Sequence, residues 1–391
     1  MNKRQAKKLR KKTLIKIKKL YTQECDLIVL HSNLEEANKK AGINKKFNSL
    51  KKAESLDELL QTCPQNQIIG YNLIKAWSKI NSEKYKRVLC SISGGADSDV
   101  MLDIVWRCDK DNKVDYVWFD TGLEYQATKD HLKYLENKYN IEIKVHKAIK
   151  PIPITCRTLG QPFISKNVAE MIDRLQRHNF QWEDKPLDIL LEKYCEWDEK
   201  KQDWKGCKGA IMWWCNANRS SQFCIKQNKW LKEFIMQYPP TFKISKKCCI
   251  YAKEKVAQNL VSMNGYDLNI FGVRKAEGGI RSTAYKNCFD ENISGSDNYR
   301  PLFWYKNKDK VDYETAYYVE HSKCYTEYGL KRTGCAGCPY GRDFENELEV
   351  IQKYEPKLYK AVNNIFGDSY EYTRKYRKFV KMMNEKENNK K

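Results

Sequence analysis

The sequence predicts an α/β protein built on a doubly wound parallel sheet, with a mainly helical insertion and helical appendages at both ends. Three observations predict it. Short apolar runs alternate with stretches of helical spacing between Tyr85 and Ile149. The first apolar run ends in Gly-Gly immediately before a helix-type stretch. Short strands and loops return after Lys246, beyond a tryptophan-rich interruption.

The elements follow in order. "RVLCSIS" (87–93) reads as a buried strand, and "DSDVMLDIVWRC" (97–108) places Val100, Met101, Ile104 and Val105 on one helical side. "VDYVWFD" (114–120) is a second strand, "ATKDHLKYLENKY" (127–139) a second helix and "IEIKVHKAI" (141–149) a third strand. Strand–helix–strand–helix–strand argues for parallel pairing with right-handed crossovers. Residues 165–245 hold six of the ten tryptophans (Trp182, Trp197, Trp204, Trp213, Trp214, Trp230) among charged helical stretches. They read as core or rim packing, with base-stacking platforms as the sharper alternative. Residues 342–380 read as a closing helical tail.

Composition narrows the class. With 41% hydrophobic and 12% aromatic residues in 391, the chain is no disordered polymer and can bury a sizeable core. The net charge of +22 is concentrated at the ends: residues 1–20 carry ten Lys/Arg and no acid, and residues 371–391 carry eight bases against three acids. Residues 1–20 read as a basic helix with Leu9, Thr13, Ile17 and Leu20 on one side, either an arm for nucleic acid or a solvated terminus. A second charged helical stretch spans about Leu34 to Leu60. No apolar run is long enough to cross a bilayer, and no apolar segment follows the basic start as a secretory signal would require. Fifteen cysteines without an export signal point to a reducing, cytoplasmic setting where thiols serve metals or catalysis.

The segment "SISGGADSD" (91–99) carries the first chemistry. Gly94 and Gly95 let backbone amides approach an oxyanion, and the helix beginning near Asp97 and Ser98 aims its positive end at the same point. Ser93 and Ser98 add hydroxyls, while Asp97 is placed to cap the helix or hold Mg²⁺ on a nucleotide. The spacing fits neither GxxxxGK[ST] nor GxGxxG. "SGGADS" resembles the pyrophosphate loop (PP-loop) of the adenine-nucleotide alpha hydrolase superfamily. Asp120 and Thr121 close the second strand at the carboxyl edge of the sheet, where ligands bind in open α/β folds. The "DTG.E" pattern there resembles the phosphoadenosine phosphosulfate (PAPS) reductase branch.

Two cysteine pairs carry the second. Cys248 and Cys249 are adjacent, and Cys335 and Cys338 form a C-x-x-C pair. Neighbouring thiolates suit the separate iron corners of a cubane better than one tetrahedral zinc, although zinc and unliganded redox thiols stay open. The CC…CxxC arrangement resembles the [4Fe–4S] signature of assimilatory adenylylsulfate reductases. Lys246 and Lys247 precede the pair, as counter-charges to a cluster, an anion site or a solvated pair. In "GVRKAEGGIRS", Arg274 and Arg281 flank Glu277, and the resemblance assigns both arginines to the substrate pocket; Arg300 in "YRPLFWY" follows as a further anion contact.

These readings divide the chain into a basic helical region (1–64), the first part of a PP-loop core (65–164), the insertion (165–245), the second part of the core with cysteines and arginines (246–345), and a basic helical tail (346–391). The family cleaves S–O bonds with a cysteine on an "ECGxH"-like tail, and no cysteine follows Cys338 here. Cys156, Cys207, Cys215, Cys224, Cys288 and Cys324 read as packed thiols, any of which could replace it. The resemblance therefore implies either of two enzymes. One resembles the iron–sulfur ATP pyrophosphatase of DNA phosphorothioation systems, activating a DNA or RNA acceptor by adenylation before sulfur transfer. The other reduces adenylylsulfate or PAPS to sulfite. A non-catalytic nucleotide- or nucleic-acid-binding module is the third reading. The first is preferred, with Asp97, Ser98, Arg274 and Arg281 in the chemistry, ATP, adenylylsulfate or PAPS as nucleotide, and a sulfur donor or thiol reductant protein as partner.

Overall fold

A computed structural model describes residues 51–217, 223–278, 284–292 and 295–389. The basic stretch 1–20, most of the stretch from Leu34 and Arg281 lie outside the described residues. The chain forms two compact units. The first comprises residues 51–119, Gln126–His146 and Ala257–Gly334; the second comprises Asp120–Tyr125, Lys147–Val256 and residues 335–389.

The strands, in chain order, are β1 (Val88–Ile92), β2 (Val114–Asp120), β3 (Ile143–Lys147), β4 (Cys195–Asp198), β5 (Asp203–Gly206), β6 (Leu268–Phe271), β7 (Phe289–Asp290) and β8 (Asp297–Tyr299). The main sheet runs β3-β2-β1-β6-β8-β7. β1 pairs parallel with β2 (Val88 opposite Val114) and with β6 (Val88 opposite Leu268); β8 is parallel to β6, and β7 pairs antiparallel with β8. The α/β class and mostly parallel sheet predicted from sequence are what the chain adopts. Strand order grows outward from β1 in both directions, so a topological switch point falls between β1 and β6.

Alternation along β1 buries both faces. Val88, Cys90 and Ile92 enter the larger core with Val100, Met101, Ile104 and Val105 from the helix Ala96–Cys108. Leu89 points to the opposite face, where it meets Val117, Leu260 and Tyr266. A strand covered on both sides has no polar face to present, which is why it reads as a continuous apolar run.

In the second unit a separate core gathers Phe163, Ile172, Trp213, Trp214, Phe234 and Phe379. Trp182, Trp204 and Trp230 pack against it partly buried. Trp197 is 43% exposed and meets Trp204 edge-on across the β4–β5 hairpin, 5.3 Å between ring centres. Packing is therefore the role of most tryptophans in this region. The tail is a 33-residue helix, Pro356–Asn388, opening with Pro at its first position and burying Val362, Phe366, Tyr370 and Phe379 at helical intervals. No described helix is long and apolar enough to cross a membrane.

Candidate nucleotide loop and thiol pocket

The loop Ser93–Ser98 joins β1 to the helix Ala96–Cys108 at the switch point. Gly94 turns the chain with φ +66°, and a Cβ there would stand 2.8 Å from Thr128 Cγ2, so both conformation and space demand glycine. The Ser93 amide donates to Ser98 Oγ at 2.9 Å, pinning the loop to the first helical turn. Gly95 occupies the N-cap position and offers no side-chain acceptor; its own amide donates to Ser93 Oγ at 3.3 Å, and the Ala96 amide is hydrogen-bonded to the Tyr325 hydroxyl, so hydroxyls stand in at the first helical amides. Three hydroxyls converge beside it: a Cβ on Gly95 would lie 3.2 Å from Thr333 Oγ1, 3.2 Å from Tyr325 Oη and 3.3 Å from Ser93 Oγ. Tyr325 and Thr333 are themselves joined at 2.8 Å. Their position could not be read from the sequence, where they stand more than 200 residues from the loop.

Asp97 is flanked by cations. Arg274 Nε donates to Asp97 Oδ2 at 2.8 Å, Lys310 Nζ lies 3.2 Å from Oδ1, and Arg274 Nη1 donates to Asn307 Oδ1 at 3.0 Å. Arg274 arrives there because it follows β6, the strand next to β1. Glu277 accepts from the Arg274 amide at 3.2 Å, closing a tight turn that sets the arginine's direction. Beneath the loop, Asp99 is fully buried with His321 Nδ1 at 2.8 Å; His131 Nε2 is 3.1 Å from the same oxygen, without hydrogen-bond alignment. The second His321 nitrogen reaches Glu314 Oε1 at 2.8 Å. Burial would lower the His321 pKa, but the hydrogen bonds to Asp99 and Glu314 outweigh it and raise it to about 9. Burial likewise opposes ionisation of Asp99, and the two imidazoles override it to hold the carboxyl below its usual range. An anion at the start of a helix is also favoured by the helix dipole.

Arg300 is 1% exposed. Its guanidinium donates to the Asn287 carbonyl at 2.9 and 3.2 Å, pairs with Asp290 and stacks over Tyr285. These partners commit it to holding the β7–β8 neighbourhood together.

The second unit holds the thiols. Gly122, at φ +81°, turns the chain after Asp120, whose Oδ1 accepts the Gly122 amide at 2.8 Å. Glu124 accepts the Thr121 amide at 3.1 Å, the Leu123 amide at 3.0 Å and the Thr121 hydroxyl. Thr121 Oγ1 also lies 3.7 Å from Cys335 Sγ. The "DTG.E" residues Thr121 and Glu124 thus border the cysteines.

Cys248 and Cys249 occupy a short helix that runs into a π-helical turn, Ile250–Glu254. That turn sets Lys253 beside them, and Cys335 is the strongest influence raising the buried ammonium's pKa. Burial pushes the Cys335 thiol up, opposed by Lys253. Cys249 and Cys338 are also raised, Cys249 first by its hydrogen bond with Cys248 and Cys338 first by burial. A fifth thiol, Cys156, is hydrogen-bonded to Cys248 and is the main cause of that group's upward shift. Lys246 and Lys247, expected to face a cluster or an anion, instead pair with Glu170 at 3.2 Å and Asp173 at 3.4 Å. The cation at the thiols is Lys253, legible in retrospect as the lysine four residues after Cys249.

Among the described residues, no three His, Cys, Asp or Glu side chains already converge as a metal cage. Cys249, Cys335 and Cys338 are electrostatic neighbours of the Lys253 ammonium, Cys248 is hydrogen-bonded to Cys249, and the buried Tyr340 hydroxyl has no hydrogen-bond partner among described residues. Soft thiols, a counter-cation and an orphan donor suit a sulfur-rich anionic group, so the donor set fits an iron–sulfur cluster.

Residues 87–161 match the family model described as the phosphoadenosine phosphosulfate reductase domain. No curated protein matches the chain. Among solved structures, a phosphoadenylyl-sulfate (PAPS) reductase from Candida auris in a phosphate complex is similar at 13% identity and TM-score 0.34, covering 69% of this chain and 95% of that one. The U34-tRNA thiolase NcsA from Methanococcus maripaludis, with its [4Fe-4S] cluster, is similar at 13% identity and TM-score 0.32, covering 80% and 79%. The family-model match coincides with β1, the Ser93–Ser98 loop, its helix and the strands that follow, so the segment that resembles the phosphoadenosine phosphosulfate reductase domain is the one that carries the loop.

Proposed function

We propose that this chain is an adenine-nucleotide-dependent sulfur-transfer enzyme that uses ATP to activate an oxygen on a nucleic-acid acceptor. The observation that carries this reading is the Ser93–Ser98 loop, a strand-to-helix turn with positive φ at Gly94 and three hydroxyls beside the first helical amides. Such a turn holds the β- and γ-phosphates, and Ser93, Ser98, Tyr325 and Thr333 supply further donors. The acceptor oxygen attacks the α-phosphorus, and the bond to the bridging oxygen breaks as pyrophosphate leaves. Arg274 and Lys310, now paired with Asp97, are placed to offset charge on the departing group, and Asp97 to hold its Mg²⁺. Arg281 is the second arginine of that role. A nucleophilic sulfur species then displaces AMP, which carries the acceptor oxygen away.

Cys248, Cys249, Cys335 and Cys338 would hold a [4Fe–4S] cluster, with Thr121 and Lys253 at its edge. When bound, that group would supply electron transfer or a sulfur-binding iron. The basic ends of the chain suit a DNA or RNA acceptor. A second reading, reduction of adenylylsulfate or PAPS to sulfite, is favoured by the family match.

The two part cleanly in one experiment. Anaerobically purified protein, with iron quantified, is given Mg-ATP with DNA or RNA pools, and separately adenylylsulfate or PAPS with a thiol reductant. Acceptor-dependent pyrophosphate release is expected. Catalytic sulfite release with no pyrophosphate from ATP would overturn the proposal in favour of the reductase.

A further inference from the structure

The thiol pocket contains a polar group that the four-cysteine reading does not use. Tyr340 follows Cys338 by two residues, and its backbone N–H is hydrogen-bonded to the Cys338 sulfur. Its side chain turns back so that the hydroxyl is shut off from solvent, and among described residues that hydroxyl has no partner. The electrostatic neighbours of this oxygen are Cys248, Cys249, Cys338 and Cys156. The ring packs on the apolar core of the second unit, which fixes its direction. Tyr116, Tyr299, Tyr305 and Tyr317 also bury a hydroxyl with no partner among described residues, inside the apolar core of the first unit, and Tyr340 differs from them in standing beside the paired cysteines, whose bound group would supply an acceptor. A neutral thiol accepts weakly, whereas a thiolate or an inorganic sulfide is anionic and accepts well.

We propose that Tyr340 donates its O–H to a sulfur atom of the group held by Cys248, Cys249, Cys335 and Cys338, and thereby raises that group's reduction potential. This rests on the iron–sulfur reading above. The direction follows from charge. Reduction adds an electron, the sulfurs become more negative, and a fixed donor stabilises the reduced form more than the oxidised one. Hydrogen bonds to the sulfurs are among the factors that set such potentials. Tyr340 is a tuning residue: it touches the group without ligating it, so its loss leaves four thiolates in place.

The test uses the full chain, reconstituted anaerobically with ferrous iron and sulfide. Iron and sulfide are counted, and the midpoint potential is measured by dye-mediated titration with EPR detection of the reduced form. Tyr340→Phe keeps the ring and removes the donor. It is expected to take up as much iron as the native protein and to be about tenfold harder to reduce, a downward shift of about 59 mV for one electron. Replacement of Tyr340 by 3-fluorotyrosine, a stronger donor of the same shape, is expected to shift the potential upward, and it decides the matter if the Phe variant loses iron. Equal iron with potentials unchanged in both variants would refute the role of Tyr340 while leaving the cluster standing. A native protein that takes up no iron would refute the cluster and the proposal with it.

Discussion

His321 is the side chain whose replacement gives the most quantitative test of the nucleotide-loop framework. Its Nδ1 lies 2.8 Å from the buried Asp99 carboxylate and its Nε2 2.8 Å from Glu314. With an acceptor at each nitrogen, the doubly protonated imidazolium is the form that satisfies both. Burial works against that charge, the two hydrogen bonds prevail, and the pKa rises to about 9 from 6.5. At about 1.4 kcal/mol per unit, this links protonation to roughly 3 kcal/mol of folded-state stability. The sign follows from the direction of the shift. A pKa raised on folding gives stability that is fully present below about 6.5 and lost as pH rises through about 9. His321→Gln keeps one hydrogen bond and removes the charge. The difference in unfolding free energy between native protein and variant should therefore be roughly 3 kcal/mol near pH 6 and shrink most of the way by pH 9.5. Urea titrations at closely spaced pH values give that difference. NMR of the ring protons gives the titration directly, because the chain has only five histidines to assign. Five imidazoles all titrating near 6.5, or a high-pKa resonance that survives His321→Gln, would refute the reasoning.

Three further outcomes are expected. Gly94→Ala forces a non-glycine residue to φ +66°, about 1–2 kcal/mol of backbone strain, and drives its Cβ to 2.8 Å from Thr128 Cγ2. It should lower the melting temperature and raise the ATP Kd at least tenfold by calorimetry; an unchanged Kd would remove the loop from nucleotide binding. Arg274→Ala should raise the same Kd at least tenfold, about 1.4 kcal/mol, with Arg274→Lys recovering only part because an ammonium lacks the planar fork that reaches Asp97 and Asn307 together. Equal affinity in the Ala variant would show that Arg274 serves only Asp97. Cys335→Ser should abolish brown absorbance and most of the iron after anaerobic reconstitution, and stoichiometric iron in the variant would exclude Cys335 as a ligand.

Much of the first unit was legible in the residues. β1, β2 and β3 match the apolar runs, and the helices Ala96–Cys108 and Gln126–Tyr139 match the stretches of helical period. A covered parallel strand leaves an unbroken apolar signature, and a two-glycine turn between such a strand and a helix has few structural uses other than meeting an anion. The cysteines were legible as pairs for the same reason: thiols at short spacing bring two ligands to one place without help from the rest of the fold.

What lay beyond sequence reading was every partner brought from a distance. Arg274 meets Asp97 across 177 positions because β6 takes the place beside β1, and strand order is decided by packing between elements rather than within them. Arg300 has the sequence context of an anion contact, yet its guanidinium is committed to Asn287 and Asp290. Lys247 was the cation next to the cysteines in the chain, but a π-helical turn brings Lys253 to the thiols and leaves Lys247 with Asp173. Tyr325 and Thr333 carry no local signal at all, and nothing in the sequence separates Cys156 from the other packed thiols. The sequence by itself determined the sheet class, the loop conformation and the paired cysteines, since those depend on periodicity, glycine freedom and short spacing. Tertiary structure alone decided which charges and hydroxyls surround them, because burial and long-range contact choose among side chains that are chemically equivalent until the chain has folded.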